Sequence, residues 1–150
     1  MTWVPPGPAW LFCPADRPER YAKAAERADV VILDLEDAVS ASDKPAARRA
    51  LIATPLDPAK TVVRINAHRT SEWSADLEAL EHTQYNVIML PKCESAVQVA
   101  ALAPRDVIAL IESPLGAMNA FSTFGTQNVV GAVWVGGGGA RPPSPSWGAT

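Results

Sequence analysis

The sequence is poor in cysteine and in long apolar runs, and each shortage excludes a class of protein. Only 2 of its 150 residues are cysteines, and Cys13 and Cys93 lie too far apart for a CxxC motif or a zinc-ligand pair. We expect two free, buried, reduced thiols. No apolar run reaches the roughly 18 residues that span a bilayer. The first ten residues lack the basic and apolar regions of a signal peptide, so we expect a cytoplasmic protein that binds no membrane.

Positive charge is also scarce, since the chain has 13 Lys and Arg residues, 16 Asp and Glu residues and a formal net charge of −3. A mildly acidic chain lacks the field that attracts a phosphate backbone, which argues against a general nucleic-acid binder. Hydrophobic residues make up 48% of the chain, an ordinary globular content. The length suits one domain with a real core.

Six apolar runs rich in β-branched residues predict six strands. Most are nearly continuous rather than alternating, which is typical of a parallel sheet covered on both faces. The runs are Trp10–Cys13, Val30–Leu35, Thr61–Ile65, Asn86–Leu90, Asp106–Ile111 and Val129–Trp134. Five segments between them have helical composition or spacing. These are Arg17–Ala28, Ser42–Ala53, Ser71–His82, Glu94–Leu102 and Pro114–Phe124.

This strict alternation of strands and helices predicts an α/β fold with a parallel sheet. Two architectures remain open at this point, an open doubly wound sheet and part of a (β/α)8 barrel. A complete barrel needs about 250 residues, whereas this pattern stops after six strands and five helices.

Polar and charged residues follow the predicted strands at their carboxyl ends. In chain order they include Asp34, Glu36, Asp37, Arg64, Asn66, Lys92 and Glu112. In parallel α/β folds the loops at this end of the sheet form the active-site face. We therefore predict that these residues share a binding or catalytic site.

The mixture of charges indicates the chemistry of this site. Carboxylates crowded at one rim raise each other's pKa unless a cation offsets them. Arg64 and Lys92 offset part of the charge, and Mg²⁺ suits the rest because it binds one or two carboxylates together with waters and substrate oxygens. Asp37 or Glu94 taken singly is better explained by helix capping or by pairing with Arg64 or Lys92. Glu112 is not explained in this way, because placing a carboxylate at the end of so apolar a strand costs free energy unless it binds a partner or a ligand.

Six segments, in this order, resemble the HpcH/HpaI aldolase/citrate lyase family, and among its branches the citrate lyase beta subunit-like proteins. They are LFCPADRPER from residue 11, ILDLEDAV from residue 32, KPAAR from residue 44, VRIN from residue 63, MLPK from residue 89 and ALIES from residue 109. The resemblance runs from about Trp10 to Trp134. It implies a partial TIM barrel of the phosphoenolpyruvate/pyruvate-binding superfamily.

The resemblance also implies a function. Such enzymes are Mg²⁺-dependent carbon–carbon lyases, which here would cleave a malyl-, citramalyl- or citryl-type 3-hydroxyacyl thioester to an acyl thioester and an oxo acid. The thioester is carried on coenzyme A or on a carrier protein, and the family commonly forms homo-oligomers. Arg64, Asn66 and Glu112 are expected to bind the substrate.

Individual roles carry over by position in the resemblance. Glu112 matches the glutamate ligand of the metal, and Arg64 matches the arginine that binds keto-acid or acyl oxygens. Glu36 and Asp37 match the acidic pair after the second strand. Lys92 matches a lysine that faces the site. We expect Arg64, Glu36, Asp37 and Lys92 to be the catalytic residues.

The end of the chain departs from the family pattern. Gly138 stands about where the family places the aspartate that is the second protein ligand of the metal. Residues 135–150 contain no Asp or Glu, and half of them are Gly or Pro. We expect an incomplete TIM-barrel lyase domain over residues 1–134 and a disordered tail over 135–150. Because Gly, Ala, Arg and Pro have GC-rich codons, a frameshift near codon 135 is a hypothesis that resequencing of the gene tests.

Three interpretations follow. The first is a Mg²⁺-dependent lyase of the family type. The second is a truncated, non-catalytic fragment of such an enzyme, with weak metal binding and little turnover. The third is an unrelated small-molecule-binding module with a doubly wound sheet, which would need a glycine-rich loop after the first strand.

Overall fold

Six parallel strands, arranged in chain order, form the sheet of this protein. The computed structural model describes residues 2–134. The strands are β1 (Trp10–Pro14), β2 (Val30–Asp34), β3 (Thr61–Arg64), β4 (Val87–Leu90), β5 (Asp106–Ile111) and β6 (Val129–Trp134). Each strand pairs in parallel with the next one along the chain. A doubly wound sheet reverses its strand order at a switch point, so that alternative is wrong and the partial (β/α)8 barrel is confirmed.

The predicted helical segments are confirmed, but the fifth consists of two short helices. The helices are α1 (Tyr21–Arg27), α2 (Lys44–Ala53), α3 (Glu72–Glu81), α4 (Ala96–Ala100), α5 (Pro114–Met118) and α6 (Ala120–Phe124), with single 3-10 turns at Pro18–Arg20, Ala41–Asp43 and Pro58–Lys60. The break falls at Asn119, whose φ of −92° and ψ of 3° leave the helical region. Its side-chain amide donates to the carbonyl of Glu94 (2.8 Å) instead of facing solvent, and this contact explains the bend.

Both faces of the four central strands, β2 to β5, are buried, which accounts for their continuous apolar runs. The edge strands β1 and β6 are more open, and Leu11, Phe12, Val133 and Trp134 are exposed. Successive side chains point to opposite faces of a strand. In β2, Val31 and Leu33 pack under the helices, whereas Val30 and Ile32 belong to the inner core. The inner core also contains Val62, Val87, Met89, Ile108 and Leu110, with Trp3 and Trp10 packed against it.

The same alternation decides which polar residues reach the inner face. Asp34 follows Ile32 by two residues, Arg64 follows Val62 by two, and Glu112 follows Leu110 by two. All three therefore continue the inner-face register at the carboxyl ends of their strands. The strand register places Asp34 directly beside Arg64.

Other expectations concern the chain as a whole. Cys13 and Cys93 are free and buried, as predicted. Within residues 2–134 no helix has the length and apolar character needed to cross a membrane. The expected tail, its boundary at residue 134 and the position of Gly138 lie outside the described residues.

Gly116 allows α5 to approach the loop after β4. A Cβ at this position would lie 2.5 Å from the carbonyl oxygen of Cys93, which close-packed atoms cannot tolerate. The Ser113 hydroxyl accepts a hydrogen bond from the Gly116 N–H (3.1 Å) and donates to Glu94 (2.7 Å). These contacts hold the start of α5 against the loop that carries Lys92.

We expect Gly116→Ala to lower the free energy of unfolding by about 1–3 kcal/mol, because the added methyl group overpacks a site bounded by backbone. Gly125→Ala is the matched control, since a Cβ there would lie 3.5 Å from its nearest neighbour. We expect no loss of stability from that change. Urea unfolding measures both variants, and equal stability of the two would contradict the close approach at Gly116.

Candidate active site

A two-pronged hydrogen bond joins Asp34, at the end of β2, to Arg64, at the end of β3. Arg64 Nε donates to Asp34 Oδ1 (2.9 Å) and Nη2 donates to Oδ2 (2.5 Å). The backbone N–H groups of Glu36 and Ala38 also donate to this carboxylate (2.8 and 3.1 Å). Asp34 is fully buried, so its charge depends on these partners, and breaking such a pair costs about 3–5 kcal/mol.

Glu36 bridges the two cations of the site. Its Oε1 accepts a hydrogen bond from Lys92 Nζ, and its Oε2 lies 3.4 Å from Arg64 Nη1. Lys44, at the start of α2, donates to the backbone carbonyls of Leu35 (2.7 Å) and Glu36 (2.9 Å). The loop after β2 is therefore fixed on both sides, and the Glu36 side chain has little freedom to move.

The electrostatic environment sets the charge states of these groups. Burial raises the pKa of Glu36, and the hydrogen bond and charge of Lys92 only partly oppose this effect. The pKa of Lys92 is raised by its hydrogen bond to Glu36. Burial works to lower the pKa of Arg64, but the hydrogen bonds and charge of Asp34 raise it above its usual value. Arg64 and Lys92 thus remain cations.

Lys92 also connects the site to Glu112. Its φ of 49° is in the left-handed region, which non-glycine residues seldom occupy and which often marks a functional loop. In this conformation its backbone N–H donates to Glu112 Oε2 (2.6 Å). Asp34, Arg64, Glu36, Lys92 and Glu112 therefore form one chain of contacts across the ends of β2, β3, β4 and β5.

The cavity next to this network is a candidate binding site. Its volume is about 470 Å³, and Arg64, Asp37 and Glu112 line it together with apolar side chains. The Arg64 guanidinium carbon lies 4.8 Å from the centre of the Phe12 ring, so the cation also stacks on an aromatic wall of the cavity. A ligand here meets both charges and an apolar surface.

Arg64 keeps hydrogen-bonding capacity for a ligand. The single N–H of Nε and one N–H of Nη2 donate to Asp34, and Nη1 faces Glu36. A guanidinium has five N–H donors, so some remain free to bind a carboxylate or a carbonyl oxygen. Its planar shape favours paired contacts with a carboxylate.

The acidic residues lining the cavity fit Mg²⁺ through few protein ligands. Within residues 2–134 no group of three or more His, Cys, Asp or Glu side chains could enclose a metal. Glu112 uses Oε2 for Lys92, and no described residue donates to its Oε1. Asp37 is exposed at the same cavity. Such an open arrangement of carboxylate oxygens suits Mg²⁺, which keeps waters and takes substrate oxygens as its other ligands.

The structure adds one residue, Asp76, that the sequence analysis missed. Asp76, in the middle of α3, is fully buried and accepts hydrogen bonds from Arg48 Nε (2.8 Å) and from the backbone and side-chain N–H groups of Asn66 (both 2.7 Å). A signal was present in the sequence, because Asp76 precedes the buried Leu80 by four residues and so lies on the apolar face of its helix.

The predicted site residues are thus largely brought together. Asn66 lines a neighbouring cavity of about 380 Å³ with Glu36, Asp37, Lys44 and Lys92, among others. Glu94, which the sequence left open, accepts a hydrogen bond from Ser113, and this contact gives it a structural role.

Comparison with known proteins extends these observations. A citrate lyase subunit beta-like protein of Mycobacterium tuberculosis is 62% identical over 128 residues, which cover 85% of this chain and 47% of that protein. The L-malyl-CoA/beta-methylmalyl-CoA lyase of Rhodobacter capsulatus is 40% identical over 111 residues, covering 65% of this chain and 35% of the lyase. The chain spans less than half the length of these curated relatives.

A solved structure has the same fold. The M. tuberculosis protein CitE, in complex with magnesium, acetoacetate and coenzyme A, matches with a TM-score of 0.84 and 62% identity. The match covers 85% of this chain and 48% of that one. Residues 9–137 also match the model of the HpcH/HpaI aldolase/citrate lyase family. This protein therefore belongs to the HpcH/HpaI aldolase/citrate lyase family.

Proposed function

We propose that this site serves a Mg²⁺-dependent carbon–carbon lyase that cleaves a 3-hydroxyacyl thioester to an acyl thioester and an oxo acid. The observation that carries the proposal is Arg64, held by Asp34 with N–H donors to spare, in one cavity with Glu112. The names of the relatives support it, since one is a malyl-CoA lyase and CitE binds magnesium, acetoacetate and coenzyme A.

Glu112 and the substrate's own oxygens would hold the Mg²⁺ ion, with Asp37 at the rim of the same cavity. When bound, Mg²⁺ acts as a Lewis acid toward the keto or enolate oxygen of the ligand. The Lys92 N–H fixes one oxygen of Glu112 and leaves the other for the ion. The carboxylates of the site outnumber Arg64 and Lys92, so the cavity favours a cation.

Arg64 would bind the carboxylate or acyl oxygens of the substrate and stabilise the negative charge that develops during cleavage. Asp34 holds the guanidinium in place before the substrate arrives. Such preorganisation avoids a reorganisation cost at the moment of reaction. This role depends on a planar fork, which lysine cannot replace.

In the reaction, the 3-hydroxyl loses its proton to a base and the bond between C2 and C3 breaks. The electron pair of that bond passes to the thioester as an enolate, which then takes up a proton to give the acyl thioester, while C3 becomes the carbonyl of the oxo acid. Both oxygens of Glu36 contact cations, so we assign it to orienting Arg64 and Lys92 beside the substrate. The Asp37 side chain makes no hydrogen bond or ion pair with a described residue, lines both cavities and is the free carboxylate of the pair.

We expect Glu112→Gln to abolish the Mg²⁺-dependent binding of acetoacetate, because an amide is a poor ligand for Mg²⁺. Arg64→Lys should weaken that binding about 10–100-fold through loss of the charge-assisted hydrogen bonds. Titration calorimetry with and without Mg²⁺ measures both effects. Glu78→Gln, at an exposed position of α3, is the control and should bind like the wild type. Unchanged binding by Glu112→Gln would overturn the metal assignment.

Activity is tested separately with malyl-CoA, Mg²⁺ and the purified chain. Release of an oxo acid that stops on chelation of the metal supports the lyase proposal. Binding of acetoacetate without any cleavage favours the second interpretation, a non-catalytic protein that keeps the ligand site. That alternative has its own basis, since no group of three or more metal-ligating side chains occurs within residues 2–134.

We expect Lys92→Met to raise the pKa of Glu36 further. Burial already raises this pKa, and Lys92 opposes the shift by stabilising the carboxylate, so loss of the ammonium removes that opposition. Carbon-13 NMR of labelled glutamate side chains follows the titration directly. Lys23→Met, at an exposed position of α1, should leave it unchanged. A lower pKa for Glu36 in Lys92→Met would show that the ion pair does not act as described.

A further inference from the structure

The orientation of the Asn66 side chain is fixed by its partners. Its Nδ2 lies 3.0 Å from the Leu35 carbonyl oxygen and 2.7 Å from Asp76 Oδ2. Both partners are acceptors only, so the atom between them is the NH₂ group and both of its protons are used. Asn66 Oδ1 receives no hydrogen bond from a described residue. The oxygen is therefore the one atom of this amide left for a ligand.

Asp76 imposes this orientation and is itself held by α2. Arg48 Nε donates to Asp76 Oδ1, and Arg48 also pairs with Glu72. Asp76 Oδ2 accepts both the backbone and the side-chain N–H of Asn66. A buried carboxylate with three donors aimed at it cannot turn without leaving a charge unpaired. Rotation of the Asn66 amide is costly for the same reason.

The cavity that Asn66 lines offers an acceptor and a donor to the same ligand. Asn66 supplies a neutral acceptor beside the carboxylate of Asp37, which also lines this cavity, and Lys92 supplies N–H donors beyond the one that Glu36 takes. A hydroxyl group can donate to the first and accept from the second. A ketone oxygen can only accept, so it satisfies Lys92 and leaves Asn66 without a partner.

We propose that Asn66 Oδ1 accepts a hydrogen bond from the 3-hydroxyl of the acyl group as the substrate binds, before the base removes that proton, and that Asp76 is the positioning residue that makes this contact possible. The inference rests on the proposed function for the identity of the ligand. Asn66 discriminates a 3-hydroxyacyl from a 3-oxoacyl group. An amide N–H of a pantetheine arm has the same donor chemistry and is the other source to be distinguished.

The test compares 3-hydroxybutyrate with acetoacetate, which differ at C3 by a hydroxyl and a ketone. Both are titrated with Mg²⁺ into the full chain, and the ratio of their affinities is recorded. We expect Asp76→Asn to reduce the preference for the hydroxy acid about three- to tenfold, the size of one neutral hydrogen bond. Acetoacetate affinity should be retained. The matched control is Glu72→Gln, which also removes a partner of Arg48 but does not contact Asn66, and its ratio should equal that of the wild type.

A second measurement needs no variant. Nitrogen-15 NMR of the wild-type Asn66 side-chain amide should show a larger shift with 3-hydroxybutyrate than with acetoacetate. An unchanged affinity ratio in Asp76→Asn, or equal loss of both ligands, overturns the inference and leaves the proposed function standing. Pantetheine is titrated into the same variants. If Asp76→Asn loses pantetheine binding and keeps the ratio of the two acids, the contact belongs to the thioester arm and the inference is overturned. Failure of both acids to bind the wild type instead overturns the proposed function.

Discussion

The paired hydrogen bonds between Asp34 and Arg64 join the ends of two neighbouring strands at the point where the inner core gives way to the site. Asp34 has no access to water, so it is stable only as part of this pair and of the turn that its oxygens close. This backbone turn places Glu36 between Arg64 and Lys92. The geometry of the cavity therefore depends on one buried ion pair.

Rigidity is the common property of the surrounding contacts. Lys44 closes the loop after β2, Gly116 allows α5 to support the loop after β4, and Asp76 holds Asn66. Each contact ties a loop to a neighbouring helix or loop. A site on loops gains accuracy when its supporting contacts are rigid, and here the free atoms are those that face the cavities, such as Oε1 of Glu112 and Oδ1 of Asn66.

A ligand with a carboxylate, an adjacent oxygen and a hydroxyl matches the donors and acceptors that remain free. Under the proposed function, Arg64 would bind the carboxylate and a Mg²⁺ ion held by Glu112 would bind the adjacent oxygen. Asn66, in the neighbouring cavity, would accept a hydrogen bond from the hydroxyl. The proposed lyase reaction brings these groups together in one substrate. The Phe12 ring lies against the guanidinium and adds a cation–π contact to the ion pair with Asp34.

The sequence by itself determined the α/β alternation, the six strands and the residues that end them, because apolar periodicity and polar strand ends are local properties of the chain. It also determined the family, through six short segments. The strand order and the side-chain contacts within the site came only from the tertiary structure. Strand order decided between a barrel and a doubly wound sheet, and burial made Asp34 and Asp76 partners of Arg64 and Asn66. Such pairings join residues far apart in the chain, and no local pattern encodes them.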